Sequence, residues 1–277
     1  MFSRTIFYVF FFFFLIFPSV DAIRSFHSKS TSDFNERKID QFDFSLQFLE
    51  APEYQNGMAC ATVPSLIDDP SLVHVAMTLD PHYLRGTMAA IHSVLKHASC
   101  PENIFFHFIA SDSGLISPSK LTKIVESAFP SLKFKVYLFK KNLVDNLIST
   151  SIRQALDNPL NYARSYLADM LEPCIKRVIY LDSDVIVVDD IKNLWRIPLT
   201  GSRTIGAPEY CHAKFTNYFN SEFWSDPELS RVFEGKMACY FNTVFAGDVE
   251  AIDHRWNQHG LGGDNVVRSC RPLHQDL

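Results

Sequence analysis

The sequence predicts an α/β protein built around a mostly parallel sheet. Short runs of β-branched and aromatic residues alternate with segments whose apolar residues recur at helical spacing, and this alternation is typical of a parallel sheet covered by helices on both faces. The first strand-like run, LVHVAMTL at 72–79, is β-branched and apolar, as expected for a strand buried on both sides. A chain of 277 residues is long enough for one large domain, or two small ones, with a sizeable core.

The predicted elements follow one another in the order expected of β-α-β units. They are a strand at 72–79, a helix at 82–98, a strand at 103–111, a helix at 118–129 and a strand at 133–139. Pro118 near the start of the second helix and Pro130 just beyond its end agree with these bounds. Further along we predict a helix at 161–171, a strand at 177–181 and a second apolar run at 185–191.

The first 22 residues predict a signal peptide. A basic residue, Arg4, precedes an unbroken apolar run from Ile6 to Phe17, and small residues follow at the usual cleavage spacing. The run is shorter than the roughly 20 residues that cross a bilayer, so an uncleaved membrane anchor is the alternative. We therefore expect a chain that enters the secretory pathway, with a polar stem at 23–70 and a folded domain at 71–277.

Charge and cysteine content narrow the functional classes. A net charge of -5 and an isoelectric point near 6.0 argue against a nucleic-acid-binding protein, which needs a basic face. The six cysteines are widely spread and form no Cys-x-x-Cys pair, which disfavours a zinc site. In a secreted protein they are candidates for disulfides, although buried thiols are equally compatible and no pairing follows from the sequence.

Two carboxylates, Asp182 and Asp184, follow the strand predicted at 177–181. Residues two apart on an extended backbone project to the same side, so this pair is predicted to converge at the carboxyl edge of the sheet, where open α/β sheets bind ligands. Two hard oxygen ligands suit Mg²⁺ or Mn²⁺ held together with a phosphate-bearing substrate. A solvated turn is the alternative, and the apolar runs on both sides favour the metal site.

A second enzyme class also places Asp-x-Asp after a strand, namely the phosphatases that resemble haloacid dehalogenases. In those enzymes a Thr or Val is expected two residues after the second Asp, where this chain has Ile186. The motif also comes late in the chain instead of opening the fold. A metal-dependent phosphatase is therefore the weaker alternative, and the missing Gly and terminal Glu exclude an EF-hand.

Several spaced motifs together resemble glycosyltransferase family 8, and within it the plant galacturonosyltransferase-like proteins. They are VHVAMTLD, NYARSYLADML, RVIYLDSDVIV, IGAPEY and ACYFNT, and the resemblance covers about residues 55–277. It implies a GT-A Rossmann-like fold and a metal-dependent transfer from a UDP-sugar with retention of anomeric configuration. Mn²⁺ is the implied cofactor, with Mg²⁺ as a possible substitute.

The resemblance also assigns roles to individual residues, although it identifies no catalytic residue. The implied contacts are Asp80 with uridine, Arg164 with the diphosphate or donor sugar, Asp182 with ribose and the metal, Asp184 with the metal, and Asn242 and Glu209 with the donor sugar. These residue types suit those contacts, because carboxylates accept hydrogen bonds from ribose hydroxyls and a guanidinium pairs with phosphate in a fork.

The chain departs from the family pattern after ACYFNT. Thr243 leads directly into VFAGDVEAID, where the family continues with an apolar strand, a helix and a proline-rich loop, so we predict an internal deletion. The sequence also stops before the region where the family supplies a third metal ligand, a His, and a phosphate-binding Lys. His274 lies in a different motif. Impaired catalysis is therefore one of the expectations.

The expected function is a Golgi-lumenal glycosyltransferase that adds galacturonic acid to a cell-wall polysaccharide such as pectin. Its partners would be a UDP-sugar donor and a polysaccharide acceptor, with no nucleic acid and with membrane association through the N-terminal apolar segment. The alternatives are a catalytically impaired relative that binds nucleotide sugars or glycans, and the metal-dependent phosphatase.

Overall fold

The computed structural model describes residues 7–10, 48–112, 116–144, 158–208 and 249–257, together with positions 225 and 227. The strands are β1 Phe7–Phe10, β2 Val73–Thr78, β3 Ile104–Ser111, β4 Lys133–Phe139, β5 Arg177–Tyr180, β6 Ile205–Pro208 and β7 Val249–Ile252. The α-helices are α1 Leu84–His97, α2 Pro118–Ala128, α3 Leu167–Met170 and α4 Ile191–Trp195. The 3-10 helices are Pro81–Tyr83, Pro101–Asn103, Lys141–Leu143, Pro159–Tyr166 and His254–Trp256.

The strands form one seven-stranded sheet in the order β4-β3-β2-β5-β1-β6-β7. Each neighbouring pair runs parallel, and Val75 of β2 lies opposite Phe106 of β3 on one side and Ile179 of β5 on the other. This confirms the predicted α/β class with a mostly parallel central sheet. Parallel strands present their carboxyl ends at one edge, so that edge is where the loops carrying polar residues gather.

The core consists of two clusters, one on each face of the sheet. One face packs against α1 and α2, whose buried residues include Leu84, Ile91 and Leu121. The other face packs against the 3-10 helix Pro159–Tyr166 and α3, and it includes Tyr180. The alternation of β2 residues between these clusters follows from the strand period of two.

The predicted helix and the second apolar run differ from the structure between residues 158 and 190. The predicted helix is mainly the 3-10 helix Pro159–Tyr166, because proline opens it and only α3 follows. The predicted apolar run at 185–191 forms no strand. Ile186 and Val188 are 61% and 62% exposed, whereas Val185 and Val187 pack on the core. The second apolar run is therefore a half-buried segment without strand structure, so one of the two flanking runs that favoured a metal site over a solvated turn is not a buried strand.

The packed chain begins before residue 72. Phe48 and Tyr54 pack against the core, and the Ala51 amide donates to the Ala128 carbonyl at 2.8 Å. A disulfide joins Cys60 to Cys100, which are 40 residues apart in sequence. Cys174 is an exposed free thiol. The other three cysteines, Cys211, Cys239 and Cys270, lie outside the described residues.

Strand β1 comes from the apolar run that the sequence predicts as a signal peptide. It lies between β5 and β6, with Tyr8 opposite both Val178 and Ile205. Cleavage of the leader stays a prediction, and removal of residues 1–22 would leave the facing edges of β5 and β6 without this partner. Within the described ranges, no helix is long and apolar enough to cross a membrane.

Candidate functional site

Two adjacent strand ends build the candidate site at the carboxyl edge of the sheet. Strands β2 and β5 pair in parallel, so Asp80 and Asp182, each two residues beyond its strand, emerge at the same edge. The Ser183 hydroxyl donates to the Thr78 carbonyl at 3.0 Å and lies 3.1 Å from the Thr78 hydroxyl. These contacts tie the loop after β5 to the end of β2.

Asp80 is a buried carboxylate that anchors the loop after β2. Its side chain is only 6% exposed, and Oδ1 accepts from the His82 amide at 2.8 Å. Its Oδ2 accepts from Nδ2 of Asn158 at 2.7 Å. Asn158 also caps the next 3-10 helix, because its Oδ1 accepts from the Leu160 amide at 3.0 Å. Asp80 therefore sets where the helix carrying Arg164 begins.

Arg164 and Asp182 form a buried ion pair. Nη2 of Arg164 lies 3.1 Å from Oδ1 of Asp182, and the two residues are 7% and 8% exposed. The Arg164 guanidinium also lies 4.7 Å above the ring of Tyr180, and its Nε donates to the Asn161 carbonyl at 3.0 Å. A desolvated pair of this kind is costly to break, since removal of one partner leaves the other charge buried.

The electrostatics keep Arg164 charged and Tyr180 neutral. Burial opposes the charged form of Arg164, but contact with Tyr180 and pairing with Asp182 outweigh it, so the pKa of Arg164 is raised. Burial raises the pKa of the Tyr180 phenol, which is therefore neutral near pH 7. The Tyr180 hydroxyl is fully buried and has no hydrogen-bond partner of good geometry within the described part of the chain.

Asp184 differs from Asp182, because it is exposed and lies in a turn with Ser183. Strand β5 ends at Tyr180, so the strand alternation that predicted convergence does not extend to Asp182 and Asp184. Two carboxylates supply the hard oxygen atoms that Mg²⁺ or Mn²⁺ prefers, so the donor set fits such an ion with water or phosphate oxygens as further ligands. Over the described ranges, no group of three His, Cys, Asp or Glu side chains is placed to hold a metal.

Glu209 and Asn242 lie outside the described residues, so the structure places neither of them. Of the six predicted site residues, it brings Arg164 into contact with Asp182 and connects Asp80 to the start of the same helix through Asn158. Sequence analysis missed Asn158, although an Asn before a Pro is an N-cap pattern that could have drawn attention to it.

A second polar cluster, which we term the buried histidine chain, consists of His74, His107, Tyr137 and Glu172. His74 Nδ1 lies 3.0 Å from His107 Nε2, and His107 Nδ1 lies 2.9 Å from the Tyr137 hydroxyl. Tyr137 donates to Glu172 at 2.6 Å, and Lys135 pairs with the same carboxylate. The buried histidine chain crosses β2, β3 and β4 on the sheet face that packs against the 3-10 helix Pro159–Tyr166. It lies towards the amino ends of β2 and β3.

Burial sets the protonation of the buried histidine chain. It lowers the pKa of His74 to about 4 and that of His107 to about 3, so both imidazoles are neutral near pH 7. It also raises the pKa of Tyr137, which stays a phenol. Among these four residues only Glu172, next to Lys135, carries a charge near neutral pH, and it lies at the exposed end.

A cavity of about 280 Å³ lies at the amino-terminal edge, away from the candidate site. Tyr54, Phe129 and Lys133 line part of it, and none of the six predicted site residues does. Lys133 uses its ammonium group to hold the Pro64 and Glu102 carbonyls at 2.8 and 2.9 Å. The lysine therefore stabilises the lead-in chain, and the cavity shows no feature that selects a ligand.

Comparisons with known proteins bear on the family and the fold of this chain. The profile described as glycosyl transferase family 8 matches residues 74–243. Among curated relatives from Arabidopsis thaliana, probable galacturonosyltransferase-like 10 is 55% identical over 297 residues, covering 88% of this chain and 80% of the relative. Probable galacturonosyltransferase-like 9 is 56% identical over 278 residues, covering 82% of this chain and 71% of that relative.

The 297-residue alignment is longer than the whole chain of 277 residues. The relative therefore contains residues inside the aligned region that this chain lacks, which agrees with the predicted internal deletion. Among solved structures, an active-site mutant of LgtC superposes with a TM-score of 0.50 at 21% identity, covering 74% of this chain and 82% of that one. It supports the GT-A fold, and the family profile together with the plant relatives shows that this chain belongs to glycosyltransferase family 8.

Proposed function

We propose that this glycosyltransferase moves galacturonic acid from a UDP-sugar to a cell-wall polysaccharide such as pectin, with a divalent metal and with retention of configuration. The observation that carries the proposal is the buried Arg164–Asp182 pair beside the exposed Asp184. It places a permanent cation and two carboxylates at the sheet edge where open α/β folds bind nucleotides. The names of the plant relatives support the choice of sugar.

The residues at this edge suit separate parts of a UDP-sugar. Asp80, at the end of β2, would accept hydrogen bonds from uridine, and Asp182 would accept them from the ribose. Arg164 stays protonated and would pair with the diphosphate. Asp182 and Asp184 would hold Mn²⁺ or Mg²⁺, and such an ion offsets the charge that develops on a departing diphosphate. Asn242 and Glu209 would contact the donor sugar.

We place the enzyme in the Golgi lumen, with residues 1–22 as a cleaved signal or an anchor. The apolar run and its flanks support entry into the secretory pathway. The Cys60–Cys100 disulfide is consistent with an oxidising compartment. A polysaccharide acceptor fits this location, because a polymer made in the secretory pathway can leave the cell by secretion.

A binding protein without transferase activity is the second candidate. It is favoured by the residues that the chain lacks inside its alignment with the relative. A chain of this kind would bind UDP-sugar through Arg164 and Asp182 but would not complete the transfer. No structural observation favours the phosphatase.

Titration of the full-length protein with UDP and UDP-galacturonic acid, with and without Mn²⁺, tests both candidates. We expect Mn²⁺-dependent binding that Asp182→Ala abolishes, followed by transfer to pectin oligosaccharides or slow hydrolysis of the donor. Binding without transfer or hydrolysis would select the binding protein. Failure of UDP to bind under either condition would eliminate both. Lys96→Ala, an exposed change in α1, serves as the matched control.

A further inference from the structure

Gly86 brings helix α1 into direct contact with the acidic turn. A Cβ atom added at Gly86 would lie 2.4 Å from the Ser183 carbonyl oxygen, a separation that real Cβ atoms essentially never show. It would also lie 3.4 Å from the Ser183 carbonyl carbon and 3.8 Å from the Asp184 Cα atom. Its close neighbours are thus backbone, which cannot rotate away as a flexible side chain can.

A second contact holds the segment that follows Ser183 about two turns further along α1. The Ser93 hydroxyl accepts from the Val187 amide at 2.9 Å and donates to the Ala90 carbonyl at 2.8 Å. Gly86 and Ser93 are seven residues apart, which puts them on one face of the helix about 10.5 Å from each other. The segment from residue 183 to residue 187 is about 13 Å long at most when extended, so it can reach both Gly86 and Ser93.

Glycine is disfavoured in helices because it loses the most backbone freedom on folding. Gly86 lies within the first turn of α1 and has an ordinary helical backbone, so no unusual dihedral angle requires it. The contact with Ser183 supplies the reason, since any larger residue would push the turn away. An isolated glycine within a helical pattern is also the sequence signal that could have revealed this approach.

We propose that Gly86 and Ser93 are positioning residues, and that α1 is the template that sets the place of Asp182 and Asp184. This inference rests on the proposed function, in which the two carboxylates hold the metal. To reach an ordinary contact distance, a Cβ at Gly86 must move the turn by about 1 Å, and misplacement of that size costs on the order of a hundredfold in a catalytic site.

The test compares Gly86→Ala with Ala89→Gly, a change at an exposed position of the same helix. For the full-length protein we expect Gly86→Ala to weaken Mn²⁺-dependent UDP binding at least tenfold while changing metal-free UDP binding less than threefold. A merely structural role would lower both together. Ala89→Gly should leave both unchanged. Equal Mn²⁺-dependent binding by Gly86→Ala and wild type would overturn the inference.

Amide hydrogen exchange gives a readout that needs no ligand. We expect the Val187 amide to exchange at least tenfold faster in Gly86→Ala, and also in Ser93→Ala, which removes its acceptor. Unchanged protection in Gly86→Ala would overturn the inference even if UDP binding fell. If wild-type protein bound no UDP, the proposed function would fail, whereas faster exchange would still support the template role of α1. Ser93→Ala remains informative if Gly86→Ala does not fold.

Discussion

The Arg164–Asp182 pair and the buried histidine chain are two polar clusters on one sheet. Both are largely buried and hydrogen-bonded, and both contact the same face of the core. The first carries two formal charges at the carboxyl edge, with the exposed Asp184 beside it. The second keeps its interior groups neutral and ends at the surface in Glu172. Comparing the two clusters therefore shows which features come from burial alone and which belong to the candidate site.

The difference shows which feature marks a binding site. Hydrogen-bonded burial is common to both clusters and is what any folded protein requires of its interior polar groups. Charge held at an open strand edge occurs only at the first cluster of the two. Such charge can bind a ligand of complementary charge, whereas the neutral histidines hydrogen-bond to one another. The following predictions test this contrast, beginning with the largest effect.

Loss of the Arg164 guanidinium should have the largest effect on stability. Arg164→Ala leaves the Asp182 carboxylate buried without its cation, and we expect the free energy of unfolding to fall by about 3–5 kcal/mol. Urea unfolding measures this. The double variant Arg164→Met with Asp182→Leu should recover most of the loss, because no unpaired charge remains. A loss below about 1 kcal/mol for the single variant would show that the pair is not desolvated.

Acidification should destabilise the protein through the buried histidine chain. The folded-state pKa values, about 4 for His74 and about 3 for His107, lie below the unfolded value, so the unfolded state binds more protons. Stability is then fully present above about pH 6.5 and is lost as the pH falls towards 4. We expect a loss of about 3 kcal/mol between pH 6.5 and 5 for the two residues.

Urea unfolding across that pH range provides the measurement. His74→Gln should remove about half of the acid dependence, since one titrating group is gone. Glu172 and Lys135 are the charged neighbours of the cluster, and repeating the series in high salt separates their contribution. If wild type and His74→Gln lost stability in parallel, the histidine would not be titrating as the burial implies.

Removal of the Tyr137 hydroxyl should have a moderate effect. Tyr137→Phe deprives His107 of its partner at 2.9 Å and Glu172 of its donor at 2.6 Å, so we expect a cost of about 1–3 kcal/mol. Tyr166→Phe is the matched control, because its hydroxyl makes only a long contact of 3.4 Å with a carbonyl. Similar losses of stability in the two variants would contradict a stabilising role for the buried histidine chain. UDP binding should be unaffected in both.

The outer ion pair of the same cluster should matter least. Lys135 is 52% exposed and pairs with Glu172, so solvent and salt screen the interaction. A double-mutant cycle of Lys135→Met with Glu172→Gln should give a coupling of about 0–1 kcal/mol that shrinks in high salt. A coupling above about 2 kcal/mol would place this pair with Arg164–Asp182 and weaken the contrast between the clusters.

Much of the fold could be predicted because local patterns specify it. The strand predicted at 133–139 matches β4, and α1 and α2 agree with their predictions to within two residues. The helix predicted at 161–171 was only partly right, since Pro159 opens a 3-10 helix instead. The correct predictions depend on periodicity within one segment. The error at 161–171 is a choice between two helix types whose sequence patterns differ little.

The sequence predicted candidate site residues, whose roles stay predictions, but it did not predict the contacts between them. Asp80, Arg164 and Asp182 were recognised from motifs, yet only the folded chain shows that Arg164 pairs with Asp182 while Asp80 holds Asn158. The prediction that Asp184 converges with Asp182 depended on an extended strand, but the strand ends at Tyr180. Where a strand stops depends on its neighbours, and a single segment does not reveal them.

The sequence by itself determined the alternation of strands and helices between residues 72 and 139, the acidic motif and the family, because each of these is encoded in residues close together along the chain. The tertiary structure decided that Cys60 pairs with Cys100, that Phe7–Phe10 lies between β5 and β6, and that Gly86 touches Ser183. These are contacts between residues far apart in sequence. Their free energy depends on packing and burial created by the whole fold, so no local pattern specifies them.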